Sequence, residues 1–260
     1  MKQIIKCLLW MALNFVLQFA VQTVMSIIRV AQGVRDDALL NSWIMDTILL
    51  SVLISNILFI GIVILAHKVK RTRLLPEGDS GAAIKGCILP CAAAFMYSAA
   101  FSLVAEGNSA MIQNSVQYFS DIQPWLGIAM MVINLLVLAP IAEELLCRRV
   151  MLDGLKQRFS PRTAVIVSSV IFGAMHILSG GVILAVGAVL MGLILGIVYE
   201  KTGSFLAAVI VHAVANLPDF VMMLLPVPDG AVRWVTAAAL FAAAVVMFVL
   251  WCRSGKKRNA

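Results

Sequence analysis

Residues 125–147 read WLGIAMMVINLLVLAPIAEELLC, and this stretch decides the fold class because it is almost entirely apolar until its last turn. A helix needs roughly 20 such residues to cross the hydrocarbon core of a bilayer. Seven further apolar stretches of similar character flank it. The eight predicted spans cover residues 7–28, 43–66, 86–105, 125–147, 163–178, 181–199, 204–225 and 232–251. The sequence therefore predicts an all-α, polytopic membrane protein with about eight transmembrane helices.

The overall composition supports the same fold class. Of 260 residues, 62% are hydrophobic and only 13% are charged, and the mean hydropathy is +1.00. A chain of this length could form one or two soluble domains, but this composition excludes them. We expect a multi-pass integral protein of the cell membrane, with membrane lipid as its solvent.

The basic residues predict which side of the membrane each loop faces, because cytoplasmic loops collect Lys and Arg. With the amino terminus inside, eight spans place all but three of the 20 basic residues in the cytoplasm. The three exceptions are Arg29, Arg35 and Arg233. Both termini are therefore predicted to be cytoplasmic. The net charge of +7 follows from this topology, and we expect no nucleic-acid partner.

The chain shows no linker, repeat or low-complexity tract, so we expect one membrane domain over residues 1–260. Lys2 and Lys6 precede an apolar run that is too long for a signal peptide and lacks a small-residue cleavage site, which predicts an uncleaved first span. The five cysteines show no CxxC spacing and predict neither a disulfide framework nor a zinc-thiolate site. Gly192 and Gly196, four residues apart, predict close packing of the sixth span.

Two adjacent carboxylates and an arginine close the fourth span. Ionisable side chains inside the hydrocarbon are costly, so each one is a functional hypothesis. Glu144 and Arg148 are four residues apart, in the favourable order for an ion pair on a helix. Glu143 points about 100° away around the helix and is the candidate general base. If the helix continues past Arg149 to an interface near Lys156, Arg148 is buried together with Glu144.

The fifth and seventh spans each carry a histidine and a second residue on the same helical face. Phe172 and His176 are four apart, as are His212 and Asn216. At about 1.5 Å per residue, His176 lies roughly 20 Å beyond the basic residues that precede its span. Asp219, two turns beyond His212, is interpreted as a charge at the outer end of the span.

This ordered set resembles the three motifs of a known family. Glu143-Glu144-xxx-Arg148, Phe172-xxx-His176 and His212-xxx-Asn216 are similar to those of the CAAX-protease and bacteriocin-processing (CPBP or Abi) intramembrane proteases. All of these motifs lie within residues 140–220. The resemblance implies an endopeptidase whose site lies in the membrane and is reached from the cytoplasmic side.

The resemblance also implies a role for each residue. Glu143 would act with His176 to activate a water molecule, while His212 and Asn216 would stabilise the oxyanion. Glu144, Arg148 and Phe172 would be supporting residues, with Glu144 and Arg148 holding the motif in place. The chemistry is reasonable, since a carboxylate and an imidazole can take a proton from water and buried donors can stabilise the developing charge.

The cofactor requirement stays open at this point. The family is also described as metalloproteases, and Glu143, His176 and His212 could bind zinc and leave one position for water. No HExxH motif is present. We prefer a site that requires no cofactor, with zinc as the alternative.

The expected partner is a peptide or a membrane-anchored protein substrate. The resemblance allows prenylated CAAX proteins, bacteriocin maturation or self-immunity, and nothing in the sequence selects among them or indicates an oligomeric state. A transporter or ion relay could use the same buried Glu and His residues, although no pair of matching halves is visible. A noncatalytic immunity or scaffold protein is a further alternative, but it would not need all of the motif residues.

Overall fold

The computed structural model describes residues 2–69, 84–105, 109–123, 125–224 and 229–254, and every described element is a helix. The principal helices are α1 (Lys2–Ala31), α2 (Asp37–Asp46), α3 (Ile48–Val69), α4 (Ile88–Val104), α5 (Ser109–Ile122), α6 (Leu126–Leu155), α7 (Pro161–Met175), α8 (Ile177–Thr202), α9 (Phe205–Leu224) and α10 (Gly230–Ser254). The predicted all-α fold is confirmed. The basic residues within 70–83 and 255–260 lie outside the described residues.

Six of these helices are long and apolar enough to cross a membrane: α1, α3, α6, α8, α9 and α10. The third and fifth predicted spans correspond to the shorter apolar helices α4 and α7. With 17 and 15 residues, these two helices are roughly 26 and 22 Å long, less than the hydrocarbon core of about 30 Å. The chain is an integral membrane protein, and the cytoplasmic location of both termini stays a prediction.

The chain divides into two compact units. Unit 1 comprises residues 1–74 and 108–146, and unit 2 comprises residues 75–107 and 147–260. The boundary falls inside α6, between Leu146 and Cys147. The single membrane domain expected from the sequence stays a prediction.

Unit 1 contains α1, α2, α3, α5 and the first part of α6, and polar side chains join α2, α3, α5 and α6. Asn134 on α6 accepts a hydrogen bond from the Asn56 amide at 3.3 Å and donates one to the Leu49 carbonyl at 3.2 Å. Ser115 on α5 donates to the Asp46 carbonyl at 2.6 Å and accepts from the Leu49 amide at 3.3 Å. In an apolar solvent such bonds favour helix association, each by about 0.6 to 2 kcal/mol.

Unit 2 contains α4, the end of α6, and α7 to α10. Its apolar core draws on four helices and includes Cys87, Ala94, Tyr97, Met191, Leu195, Val198, Ala207, Val211, Ala215, Ala244 and Trp251. The Tyr97 hydroxyl donates to the Gly187 carbonyl at 2.8 Å, and the Trp251 indole donates to the Gly86 carbonyl at 2.9 Å. These bonds satisfy buried polar atoms, which would otherwise be costly away from water.

The hairpin of α7 and α8 packs backbone to backbone. A Cβ at Gly192 would lie 3.0 Å from the Ser169 Cα, and a Cβ at Gly196 would lie 2.9 Å from Val165 Cγ1. A Cβ at Gly173 would lie 2.6 Å from the Ala185 carbonyl oxygen. The close packing predicted from Gly192 and Gly196 is confirmed, and it brings the side chains of α7 against the backbone of α8.

Candidate active site

The two carboxylates lie on a part of α6 with irregular helical geometry. Residues Asn134–Leu138 form a π-helical turn, in which the Ala139 N–H bonds to the Asn134 carbonyl five residues earlier. This wider turn ends two residues before Pro140, which has no N–H to donate and whose ring would crowd the carbonyl four residues before it. A second π-helical segment, Leu145–Leu152, follows the carboxylates. Such segments are frequent at functional sites.

Glu143 and Glu144 lie in the regular turn between these two π-helical segments. Glu144 is fully buried and Glu143 is partly buried. Both belong to unit 1. The helix continues to Leu155, so the expectation that the fourth span extends past Arg148 is confirmed.

In unit 2, the Phe172 ring forms the centre of a cluster of motif residues. Phe172 is 2% exposed, and its ring centroid lies 4.7 Å from that of His176 and 5.8 Å from that of His212. The Arg148 guanidinium lies over the same ring, 5.3 Å from its centroid. Three separate helices therefore bring Arg148, His176 and His212 around one aromatic side chain.

Arg148 is held by a backbone carbonyl as well as by the aromatic ring. It is fully buried, and its Nη2 donates to the Gly192 carbonyl at 3.3 Å. A side chain at Gly192 would lie 3.3 Å from Phe172 Cδ1, so the glycine lets the ring and this carbonyl approach the guanidinium together. The planar guanidinium suits both contacts, since it donates in its plane and stacks through its face.

His176 lies at the carboxyl end of α7, where its backbone N–H bonds to the Gly173 carbonyl at 3.0 Å. Its Nδ1 is 2.8 Å from the Phe172 carbonyl oxygen. Because a carbonyl can only accept, this bond requires the proton on Nδ1. In the neutral ring the lone pair is then on Nε2, which can accept a proton.

His212 lies inside α9 and is 5% exposed, and Asn216 follows one turn later on the same face. Pro218 lies two residues beyond, inside the same helix. Its missing N–H leaves the Val214 carbonyl without the usual helical donor. The backbone between the two motif residues is therefore not a standard helical ladder.

The structure thus brings Arg148, Phe172, His176 and His212 together within unit 2, with Asn216 one turn from His212. Glu143 and Glu144 belong to unit 1. The pairing of Glu144 with Arg148 and the partnership of the Glu143 carboxylate with the imidazoles stay predictions.

Metal binding is constrained by the number of ligands that each unit supplies. Within either unit, the described residues include no group of three His, Cys, Asp or Glu side chains that could hold a metal ion. A catalytic zinc generally has three protein ligands. The predicted set Glu143, His176 and His212 draws on both units, so zinc stays an alternative.

A polar cluster at the carboxyl end of α6 was not predicted from the sequence. The Asp153 carboxylate pairs with Arg149 and accepts a hydrogen bond from the Tyr199 hydroxyl at 2.9 Å. Arg149 also donates to that hydroxyl at 3.3 Å. The cluster fixes the end of α6 to the end of α8. Only the i, i+4 spacing of Arg149 and Asp153 could have suggested part of it.

Asp219 lies on α9, three residues beyond Asn216. It is exposed and accepts a hydrogen bond from the Ser102 hydroxyl of α4 at 2.6 Å. This position agrees with its interpretation as a charge near the end of the span.

Comparison with known proteins identifies a related family. Residues 124–218 match the family described as "Rce1-like: Type II CAAX prenyl endopeptidase Rce1-like". The match covers less than half of the chain and includes all three motifs. No curated protein and no solved structure gave a significant match. The resemblance to the CAAX-protease family is confirmed over these residues, and it indicates a peptidase of the CAAX-protease type.

Proposed function

We propose that this chain is an intramembrane endopeptidase that hydrolyses a peptide bond near the cytoplasmic face of the cell membrane. The observation that carries the proposal is the cluster around Phe172, in which two imidazoles from different helices pack on one buried ring. A packing role alone does not call for two imidazoles and a buried guanidinium around the same ring, whereas proton transfer and charge stabilisation do. The family match over residues 124–218 gives the reaction class.

In the proposed reaction, His176 and Glu143 together take a proton from water. The bond from His176 Nδ1 to the Phe172 carbonyl supports this role, because it orients the ring and leaves Nε2 to accept the proton. The resulting hydroxide adds to the carbonyl carbon of the scissile peptide bond. As the C–N bond breaks, the proton returns to the departing amine nitrogen.

The same proposal gives His212 and Asn216 the role of oxyanion donors. An imidazole N–H and an amide N–H₂ can both donate to the negative oxygen of the tetrahedral intermediate. The low exposure of His212 strengthens such a bond, since little water competes for the donor. Each such donor contributes about 2.7–4 kcal/mol in a comparable protease site.

Arg148 is proposed as a positioning residue. Its contacts with the Gly192 carbonyl and the Phe172 ring join α6, α7 and α8. Together with Glu144, which is predicted to pair with it, Arg148 would fix the α6 backbone that carries Glu143. The proposed reaction requires no metal, and zinc held by Glu143, His176 and His212 is the alternative to test.

Substrate choice is proposed at the level of class only. A membrane-anchored peptide or protein matches the location of the site within membrane helices. Prenylated CAAX proteins are the first group to examine because of the family match. Bacteriocin precursors are the second group.

The test compares purified wild type with Glu143→Gln against a library of membrane-anchored peptides, with and without a prenyl group. We expect wild type to cleave a subset and Glu143→Gln to lose about 10²–10⁴-fold in rate. Asp121→Asn is the control, because that exposed carboxylate accepts a hydrogen bond from Gln117 on α5 and is not one of the predicted site residues. Cleavage that survives Glu143→Gln would refute the assignment of the base, and no cleavage by wild type would favour the noncatalytic alternative.

A further inference from the structure

An open groove lies between α7 and α8 in unit 2, apart from the cluster around Phe172. It has a volume of about 460 Å³, within the range of roughly 300–1,000 Å³ of small-ligand pockets. The lining of the groove includes Arg162, Ile166, Leu193, Ile197, Glu200 and Lys201. The groove is therefore large enough for part of a lipid molecule.

The walls of the groove are apolar, and the groove opens on the outer surface of the helices. Ile166 is 55% exposed, while Leu193 and Ile197 on α8 are partly buried. Residues Gly181–Thr202 of α8 form one of the membrane-crossing helices, so its outer face meets lipid chains. A hydrocarbon chain is the occupant that matches these walls.

One end of the groove carries positive charge. Arg162 and Lys201 line it, and Glu200 is the acidic residue beside them. The Glu200 carboxylate is bound by the Lys156 ammonium group at 2.6 Å, outside the groove lining. Arg162 is the second residue of α7, where the first backbone N–H groups of the helix add partial positive charge.

The contacts of Lys201 do not neutralise the charge of its ammonium group. Its ammonium group donates to the carbonyls of Trp251 and Cys252 and lies 4.2 Å from the centroid of the Trp251 ring. All of these partners are uncharged. The end of the groove therefore has excess positive charge next to an apolar wall.

We propose that this groove binds an anionic phospholipid. The phosphate contacts Arg162 and Lys201, and one acyl chain lies along Ile166, Leu193 and Ile197. The basic end belongs to the side predicted to be cytoplasmic. This inference does not depend on peptidase activity.

Thermal stability of the delipidated full-length protein in detergent tests the proposal. Phosphatidylglycerol is titrated and its dissociation constant is taken from the rise in melting temperature, since a ligand that binds only the folded state stabilises it. We expect phosphatidylcholine and inorganic phosphate to bind at least about tenfold more weakly, because one lacks net charge and the other lacks the chain. Equal binding of phosphatidylglycerol and phosphatidylcholine would overturn the assignment of the headgroup site.

A pair of variants tests the basic end of the groove. Arg162→Gln should weaken phosphatidylglycerol binding about tenfold, the usual size of one charge-assisted contact. Arg158→Gln is the matched control, since Arg158 is exposed on the same connection but does not line the groove. Equal affinities of these two variants would overturn the role of Arg162.

The acyl-chain site is tested by filling the groove. Ile166→Trp should abolish phosphatidylglycerol stabilisation, whereas Val170→Trp should retain it. Val170 is 52% exposed on the same helix, one turn further, and lies outside the groove lining. Full stabilisation of Ile166→Trp by phosphatidylglycerol would show that the acyl chain does not lie there.

Discussion

Gly173 lies against the backbone of α8, and its replacement by alanine is expected to lower both stability and activity. The new Cβ would clash with Val189 Cγ2 and lie 2.6 Å from the Ala185 carbonyl oxygen and 3.0 Å from the Val189 nitrogen. Two of these atoms belong to the backbone, so rotation of a side chain cannot relieve the contact. The helices α7 and α8 must move apart.

The expected change in the stability of Gly173→Ala is the difference between two opposing effects. Overpacking costs about 1–3 kcal/mol, and the higher helix propensity of alanine returns at most about 1 kcal/mol. A net loss of about 1–2 kcal/mol lowers the melting temperature by roughly 2–8 °C. Because α7 also carries Phe172 and His176, a shift of about 1 Å should lower kcat/KM up to 100-fold.

The matched control is Gly61→Ala on α3, where no neighbouring atom lies within 4 Å of the new Cβ. That variant should melt at or slightly above the wild-type temperature and keep its activity. Melting is followed by intrinsic fluorescence in detergent, and activity by cleavage of a membrane-anchored peptide. If Gly173→Ala behaves like Gly61→Ala in both assays, the described packing of α7 on α8 is wrong.

Three further predictions concern the cluster around Phe172. Arg148→Lys keeps the charge but loses the planar contacts with the Gly192 carbonyl and the Phe172 ring. Thermal denaturation should therefore show that the free energy of unfolding falls by about 1–3 kcal/mol. An unchanged melting temperature would contradict this role of Arg148. His176→Asn can still donate to the Phe172 carbonyl but cannot take a proton, so kcat should fall about 10²–10⁴-fold with little change in melting temperature; a large loss of stability would indicate a structural role. Peptide cleavage should survive removal of zinc by a chelator, whereas loss of activity restored by added zinc would favour the metal site of Glu143, His176 and His212.

Much of the fold could be predicted from the sequence because the bilayer imposes a simple length rule. Seven of the eight apolar stretches coincide largely with one helix each, and α6 extends beyond Arg148 as expected. The second stretch, residues 43–66, begins in α2 and continues in α3, because the chain turns at Thr47. Hydropathy could not show that α7 ends at Met175, because His176 is followed by further apolar residues. That boundary depends on where the chain turns into α8.

The helices α2 and α5 were not predicted because they are too short and too polar to cross a membrane. They are stabilised by contacts that sequence patterns do not report, such as the bonds of Ser115 with the backbone of residues 46 and 49. The π-helical turn before Pro140 was missed for a similar reason. A proline signals a local disturbance, but its neighbours decide which form the disturbance takes.

The candidate site could be predicted as a list of residues but not as a set of contacts. Helical spacing pointed to Phe172 and His176 on one face, and to His212 and Asn216 on another. It could not show that Phe172 lies between both imidazoles or that Gly192 accepts a hydrogen bond from Arg148, 44 residues earlier in the chain. These contacts arise from helix packing.

We propose that the chain hydrolyses peptide bonds with Glu143 and His176 as the water-activating pair. The most direct measurement is mass spectrometry of the products that purified protein in lipid vesicles releases from a membrane-anchored peptide in ¹⁸O-labelled water. We predict that wild type incorporates one ¹⁸O atom into the new carboxyl group, and that Glu143→Gln and His176→Asn release almost no product. Absence of cleavage by wild type, product without ¹⁸O, or unchanged rates in both variants would contradict the claim.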